Sequence, residues 1–117
     1  MPDKPLIWLG SSRRDLRVFP ALVRRLAGFQ LRRVQHGLDP DDWKPMQTVG
    51  VGVREIRIHV AGAHRVFYLT TRAEAIYVLH AFEKKTQKTS SQDLRIGCDR
   101  FRALGHLRQQ HGKEKRG

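Results

Sequence analysis

One cysteine, Cys98, occurs in the 117 residues. An internal disulfide is therefore excluded, and a lone thiol on an apolar helical face suits a core position in a reducing cytosol. No apolar run approaches the ~18 residues that a membrane span needs, so no membrane partner is expected. The opening MPDKPLIWLG holds only a four-residue apolar run. That is too short for a signal peptide, and a cytoplasmic location is expected. Metal-binding spacings are missing too: there is no Cys-x-x-Cys and no His-Glu-x-x-His, so no metal is expected. Gly50-Val51-Gly52 lacks a third glycine and precedes a strand rather than a helix, which rejects a nucleotide loop. No cofactor is expected. Acidic residues are scarce, 11 against 23 Lys and Arg.

What is abundant is positive charge. The net charge is +12 and the pI about 11.1, and sixteen of the basic residues are arginine. The guanidinium fork suits phosphate better than the point charge of lysine. Such a balance favours a polyanionic partner: RNA, DNA, the ribosome, a membrane surface or an acidic protein. The hydrophobic content, 39%, suffices for a single small core. One domain over 1–109 is expected, with 110–117 as a structureless basic tail, since HGKEKRG offers no apolar anchor.

The pattern along the chain predicts an α+β domain. Leu6-Ile7-Trp8-Leu9 reads as a brief strand between Pro5 and Gly10. Ser11 and Ser12 can cap a short helix through Phe19, and a second helix starts at Pro20. Its apolar positions are Leu22, Val23, Leu26, Phe29 and Val34, its outer face carries Arg24, Arg25, Arg32 and Arg33, and Gly37 ends it. Residues 38–52, with two prolines and two glycines, read as an irregular connection pinned by Trp43.

The stretch from Val53 to Lys88 is the centre of the chain. Val53–Val60 alternates, with Ile56, Ile58 and Val60 on one face and Glu55, Arg57 and His59 on the other. Ala61-Gly62-Ala63 turns the chain, His64–Leu69 returns, and Ala75–Phe82 makes a third strand. The result is a three-strand meander whose buried face the two N-terminal helices cover. Ser90 or Ser91 caps a C-terminal helix with Leu94, Cys98, Phe101 and Leu104 on its packed face.

This stretch also holds the candidate site. Arg57 and Arg65 lie on adjoining strands, and Lys84, Lys85 and Lys88 follow the third. Together they can hold a phosphodiester and stabilise the charge that builds on it during cleavage. Phe67, Tyr68 and Tyr77 interleave, and one can stack a base. Glu55 or His80 can accept a proton; Tyr68 or a lysine can donate one. Glu55 equally suits a plain pairing with Arg54, Arg57 or a lysine. His59 and His64, flanking the turn, read as a surface pair.

The segments VREIRIHVAGAHRVFYL and AIYVLHAFEKKTQKT resemble the RelE/ParE toxin superfamily, most closely its HigB-like, phage-derived branch. RDLRVFP and DWKPM upstream extend the likeness to about 100 residues. The resemblance implies a RelE-like fold: a small antiparallel-dominated sheet with two N-terminal helices. It implies a toxin of a bacterial or prophage toxin–antitoxin pair that cuts mRNA in the ribosome without a metal, inhibits translation and arrests growth. It implies a cognate antitoxin, commonly a helix-turn-helix DNA-binding protein. Arg65, which opens RVFY, matches the family's phosphate-binding arginine. Arg57 matches the arginine of REIR, Lys84, Lys85 and Lys88 match the trailing basic segment, and Tyr68 matches more weakly. Arg54 joins Lys84 and Lys88 as a phosphate contact. Two departures stand out: Ser90-Ser91 replaces the usual proline after QKT, and no single general base transfers. A ParE-like gyrase poison and a non-catalytic RNA- or partner-binding module are the alternatives.

Overall fold

The computed structural model describes residues 3–116, with side chains described through residue 107. The elements run β1 (Leu6–Trp8), α1 (Ser12–Arg17), α2 (Ala21–Gln35), β2 (Trp43–Pro45), β3 (Val53–Ile58), β4 (Ala63–Leu69), β5 (Ile76–Lys84) and α3 (Ser91–Arg116). Among the described residues the strands form one five-stranded sheet in the order β1-β5-β4-β3-β2. β1 runs parallel to β5, and every other pairing is antiparallel. The fold is α+β, as the alternating and helical runs predict.

Period-two alternation sorts the meander onto two faces. Ile56, Ile58, Val66, Tyr68, Ile76 and Val78 meet Leu16, Phe19, Val23, Ala27, Leu31 and Val34 of α1, α2 and their junction. The opposite face, with Val53, Phe67, Leu69, Tyr77 and Leu79, meets Met46 and Val49 of the preceding loop and Leu104 of α3. Burial on both faces follows from helices lying on both sides of the sheet. A β-bulge at Phe67/Tyr68 shifts the β4–β5 register, so Leu79 packs on the α3 side although its neighbour His80 occupies the regular position opposite Phe67.

Two expectations change. Residues 38–52 are not wholly irregular: β2 pairs with β3, placing Trp43 opposite Ile56, Lys44 opposite Glu55 and Pro45 opposite Arg54. Proline is compatible with this position because β2 is an edge strand. Trp43 does pin the segment, with the Arg54 guanidinium 4.0 Å from its ring centre. On α2, Leu22 and Phe29 are exposed, whereas Val23, Ala27, Gln30, Leu31 and Val34 are buried. The buried row includes a glutamine, whose amide bonds Asp41 through both its nitrogen and its oxygen at 2.8 Å. A count of apolar residues alone therefore misplaces the inner face.

Local caps follow the sequence. Gly37 has φ +84°, and the bonds Gly37 N to Val34 O and Leu38 N to Arg33 O close α2 in a Schellman arrangement. At the start of α3 the Ser90 hydroxyl accepts from the Asp93 amide at 3.1 Å and donates to the Asp93 carboxylate at 2.7 Å. The backbone of α3 continues through Arg116; the side chains of the expected tail, 110–117, lie outside the described residues. No described helix is long and apolar enough to cross a membrane.

Candidate functional site

The site lies on the α3-facing side of the sheet, at the end away from the α3 packing. Alternation puts Glu55 and Arg57 of β3, Arg65 of β4 and Lys84 of β5 on this side. Register aligns them: Arg57 stands opposite Arg65, Arg65 opposite Phe82, and Lys44 of β2 opposite Glu55. Two arginines directly opposite one another repel, which a sheet tolerates when a counter-ion is near. Glu55 supplies it. Its Oε1 lies 3.5 Å from Arg65 Nε and 4.0 Å from Lys44 Nζ.

The carboxylate and Arg65 are buried, while Lys44, Arg57 and Lys84 are partly exposed around them. Glu55 is 1% exposed and Arg65 3%. Burial raises the Glu55 carboxyl above its ordinary 4.5, while Lys44, Arg65, Arg57 and Lys84 pull the other way. Burial lowers the Arg65 guanidinium, opposed by Glu55. Lys84 is lowered by desolvation, then by Arg65, with Glu55 opposing. Arg65 Nη1 donates to the His64 carbonyl at 3.0 Å. Glu55 Oε2, Arg57 Nε and Arg65 Nε are buried and have no hydrogen-bond partner among the described residues. Buried polar atoms are normally paired; here Glu55 Oε2 and Arg57 Nε have no partner and Arg65 Nε has only the Glu55 carboxylate at 3.5 Å, which suits the patch to a further polar group. Four cations around one carboxylate leave a surplus of positive charge there, suited to an anion.

Lys44 is the residue that sequence reasoning misses. The signal available was slight: a polar position in W-K-P beside an aromatic anchor. Its place in the cluster depends on β2 pairing with β3.

His80 sits on β5 across Phe67 from Glu55, about 10 Å away by strand spacing. It is buried, stacks on Phe82 at 4.8 Å, and donates from Nε2 to Asp93 Oδ1 at 2.7 Å. That bond assigns the proton to Nε2 and leaves Nδ1 as a buried acceptor with no partner among the described residues. Burial lowers its pKa from 6.5, with Asp93 acting against the shift. A lowered folded-state pKa stabilises above the unfolded value and loses that stabilisation as pH falls through the folded pKa. Stability in urea is therefore expected to drop as pH is taken from 7.5 to 5, and His80→Gln to shrink that drop; an equal drop in both proteins would contradict it.

Other candidates fall elsewhere. Tyr68 is fully buried on the opposite face, its hydroxyl beside Arg54. Arg54 shares that face and is taken by Asp39 at 2.9 Å and by Trp43. Alternation alone separates both from Glu55, Arg57 and Arg65. Lys85 and Lys88 are exposed in the loop after β5, outside the cluster around Glu55. Phe67, Tyr68 and Tyr77 are all buried, so none presents a face for a base. His59 pairs with Asp42 at 3.1 Å, while the ring of buried His64 meets Phe19 edge-on at 4.7 Å; the two do not form a pair. Cys98 is half-buried and donates to the Thr48 carbonyl. Among the described residues no group of three or more His, Cys, Asp or Glu is placed to hold a metal ion.

A search of curated proteins gives no match. Residues 14–102 match the family model described as "Phage derived protein Gp49-like (DUF891)", a family of the RelE toxin type. That span contains most of α1, all of α2, the whole meander and the cation cluster with its buried carboxylate, and on it the chain belongs to the Gp49-like family of phage-derived proteins.

Proposed function

We propose that this chain is the toxin of a type II toxin–antitoxin pair and cleaves mRNA on the ribosome, stopping translation. The observation that carries the reading is the buried Glu55 carboxylate set among Lys44, Arg57, Arg65 and Lys84. RNA cleavage of this kind needs a base at the 2′-hydroxyl, cations on the phosphate and an acid at the departing 5′-oxygen. Glu55, raised by burial and reached when the substrate draws the Lys44 and Arg65 side chains off it, takes the 2′-hydroxyl proton as that oxygen bonds to phosphorus. Arg65 and Arg57 hold the non-bridging oxygens. Lys84, with its lowered pKa, gives a proton to the 5′-oxygen as its bond to phosphorus breaks. The products are a 2′,3′-cyclic phosphate and a free 5′-hydroxyl. A helix-turn-helix antitoxin is the partner that fits, covering the cation face or blocking ribosome entry, and the cytoplasm is the compartment.

Mapping transcript ends after brief induction tests this. New ends in wild type that vanish in Arg65→Ala support it. Growth arrest with DNA damage and uncut transcripts would replace it with gyrase poisoning. The pH profile adds a second check. Lys44 lowers the Glu55 pKa, so Lys44→Met is expected to move the acid limb of the cleavage rate to higher pH. Glu55→Gln is expected to remove that limb and slow cleavage about 10²–10⁴-fold. An unmoved limb in Lys44→Met would assign it to another group.

A further inference from the structure

A second basic surface lies on α1 and α2, on the far side of the sheet from Glu55. Residues 12–35 contain seven arginines, no lysine and a single acid, Asp15. Asp15 is engaged by the Ser11 hydroxyl at 2.7 Å. Arg32 and Arg33 lie 3.6 Å from Asp3 and Asp41 respectively. The other five, Arg13, Arg14, Arg17, Arg24 and Arg25, are exposed, and none has an ion-pair partner among the described residues.

These five are not scattered. Arg24 Nη1 donates to the Arg17 carbonyl at 3.1 Å, which draws the first turn of α2 against the end of α1. Arg13, Arg14 and Arg17, with Gly10 and Ser11, line an open cleft of about 440 Å³. Arg100 of α3 packs against the Gly10-Ser11 turn beside this cleft. Its Nη2 donates to Ser11 Oγ at 2.9 Å and its Nη1 to the Leu79 carbonyl at 2.8 Å. The approach is so close that a Cβ on Gly10 would fall 2.5 Å from Arg100 Nε. Guanidinium groups thus crowd both the cleft and the helix junction beyond it, with Asp15 the single carboxylate of this face among them.

We propose that this α1–α2 face is a second RNA-binding surface that grips the phosphodiester backbone away from the site of cleavage. Crowded like charges raise the energy of the free protein, and a polyanion relieves it. An extended row of forked donors matches a backbone that repeats its charge, and arginine fits phosphate in two-point fashion. The choice of RNA as the polyanion rests on the ribonuclease reading; the arrangement of the arginines does not.

The test is equilibrium binding of a 2′-O-methyl RNA hairpin, which cannot be cleaved, across a series of salt concentrations. Four proteins are compared: wild type, Arg13→Gln/Arg14→Gln/Arg17→Gln, the same three positions changed to Lys, and Arg65→Ala. Each phosphate contact contributes roughly 0.7–0.9 to the slope of log affinity against log salt. The glutamine triple is expected to bind more weakly and to lose about 2–3 from that slope. The lysine triple should keep the slope, which also guards against a folding artefact, and Arg65→Ala should lose no more than about 1. An unchanged slope in the glutamine triple overturns the proposal. So does a result in which the triple loses binding to poly-glutamate but not to RNA, which would assign the face to an acidic protein. Cleavage is not read in this assay, so a protein without ribonuclease activity would still answer the question.

Discussion

Arg65→Ala is expected to reduce transcript cleavage by about 10²–10³-fold, the cost of removing one preorganised donor from a developing anion. Stability should fall as well. Arg65 and Glu55 form a pair with almost no solvent contact, and removing one member of a buried pair costs about 3–5 kcal/mol because the other is left desolvated. Lys44 still faces Glu55 at 4.0 Å, so the lower end, about 3 kcal/mol, is expected. The two effects separate in companion variants. Arg65→Lys keeps the charge and loses the fork; it should recover most of the stability and little of the rate. The double variant Arg65→Ala/Glu55→Gln removes the orphaned carboxylate and should unfold at higher urea than Arg65→Ala alone, while remaining inactive. Recovery of cleavage in the double variant would overturn both assignments, Glu55 as the base and Arg65 as a phosphate contact.

Phe67→Ala should have the largest effect on stability, a loss of about 3–5 kcal/mol in chemical denaturation. The ring is fully buried between the sheet and α3. It meets Phe82 edge-on at 5.1 Å, and α3 comes so close that a Cβ on Gly97 would lie 2.9 Å from it. Phe67→Leu should cost far less, since most of the volume is kept. If Phe67 instead served as a platform for a base, the alanine variant would lose RNA binding with little change in urea midpoint. The two outcomes discriminate cleanly, because residues of identical type serve either purpose.

Much of the fold was legible in local pattern. The alternation in 53–58 set the strand, the apolar spacing in 21–35 set the helix, and Gly37 and Ser90 marked a helix end and a helix start. The same alternation contained more than a simple list of cations reveals. It places Tyr68 and Arg54 on the face opposite Arg65 and Glu55, so their removal from the cluster follows from period two alone. What local pattern could not show was β2, a three-residue strand that exists by pairing with β3, and hence the place of Lys44. It could not show that Leu22 and Phe29 stay outside while Gln30 goes in, because the rotation of α2 about its axis is settled by what it packs against.

By itself, then, the sequence determined the charge, the class of elements and the set of residues able to bind phosphate. The tertiary structure decided which of them share a surface. That division has a physical basis. Charge and periodicity are properties of the chain over a few residues, whereas the Glu55 carboxyl is raised by its nearly dry setting against the opposing pull of four cations from four strands. Those conditions exist only once β2, β3, β4 and β5 lie side by side with helices packed on both faces.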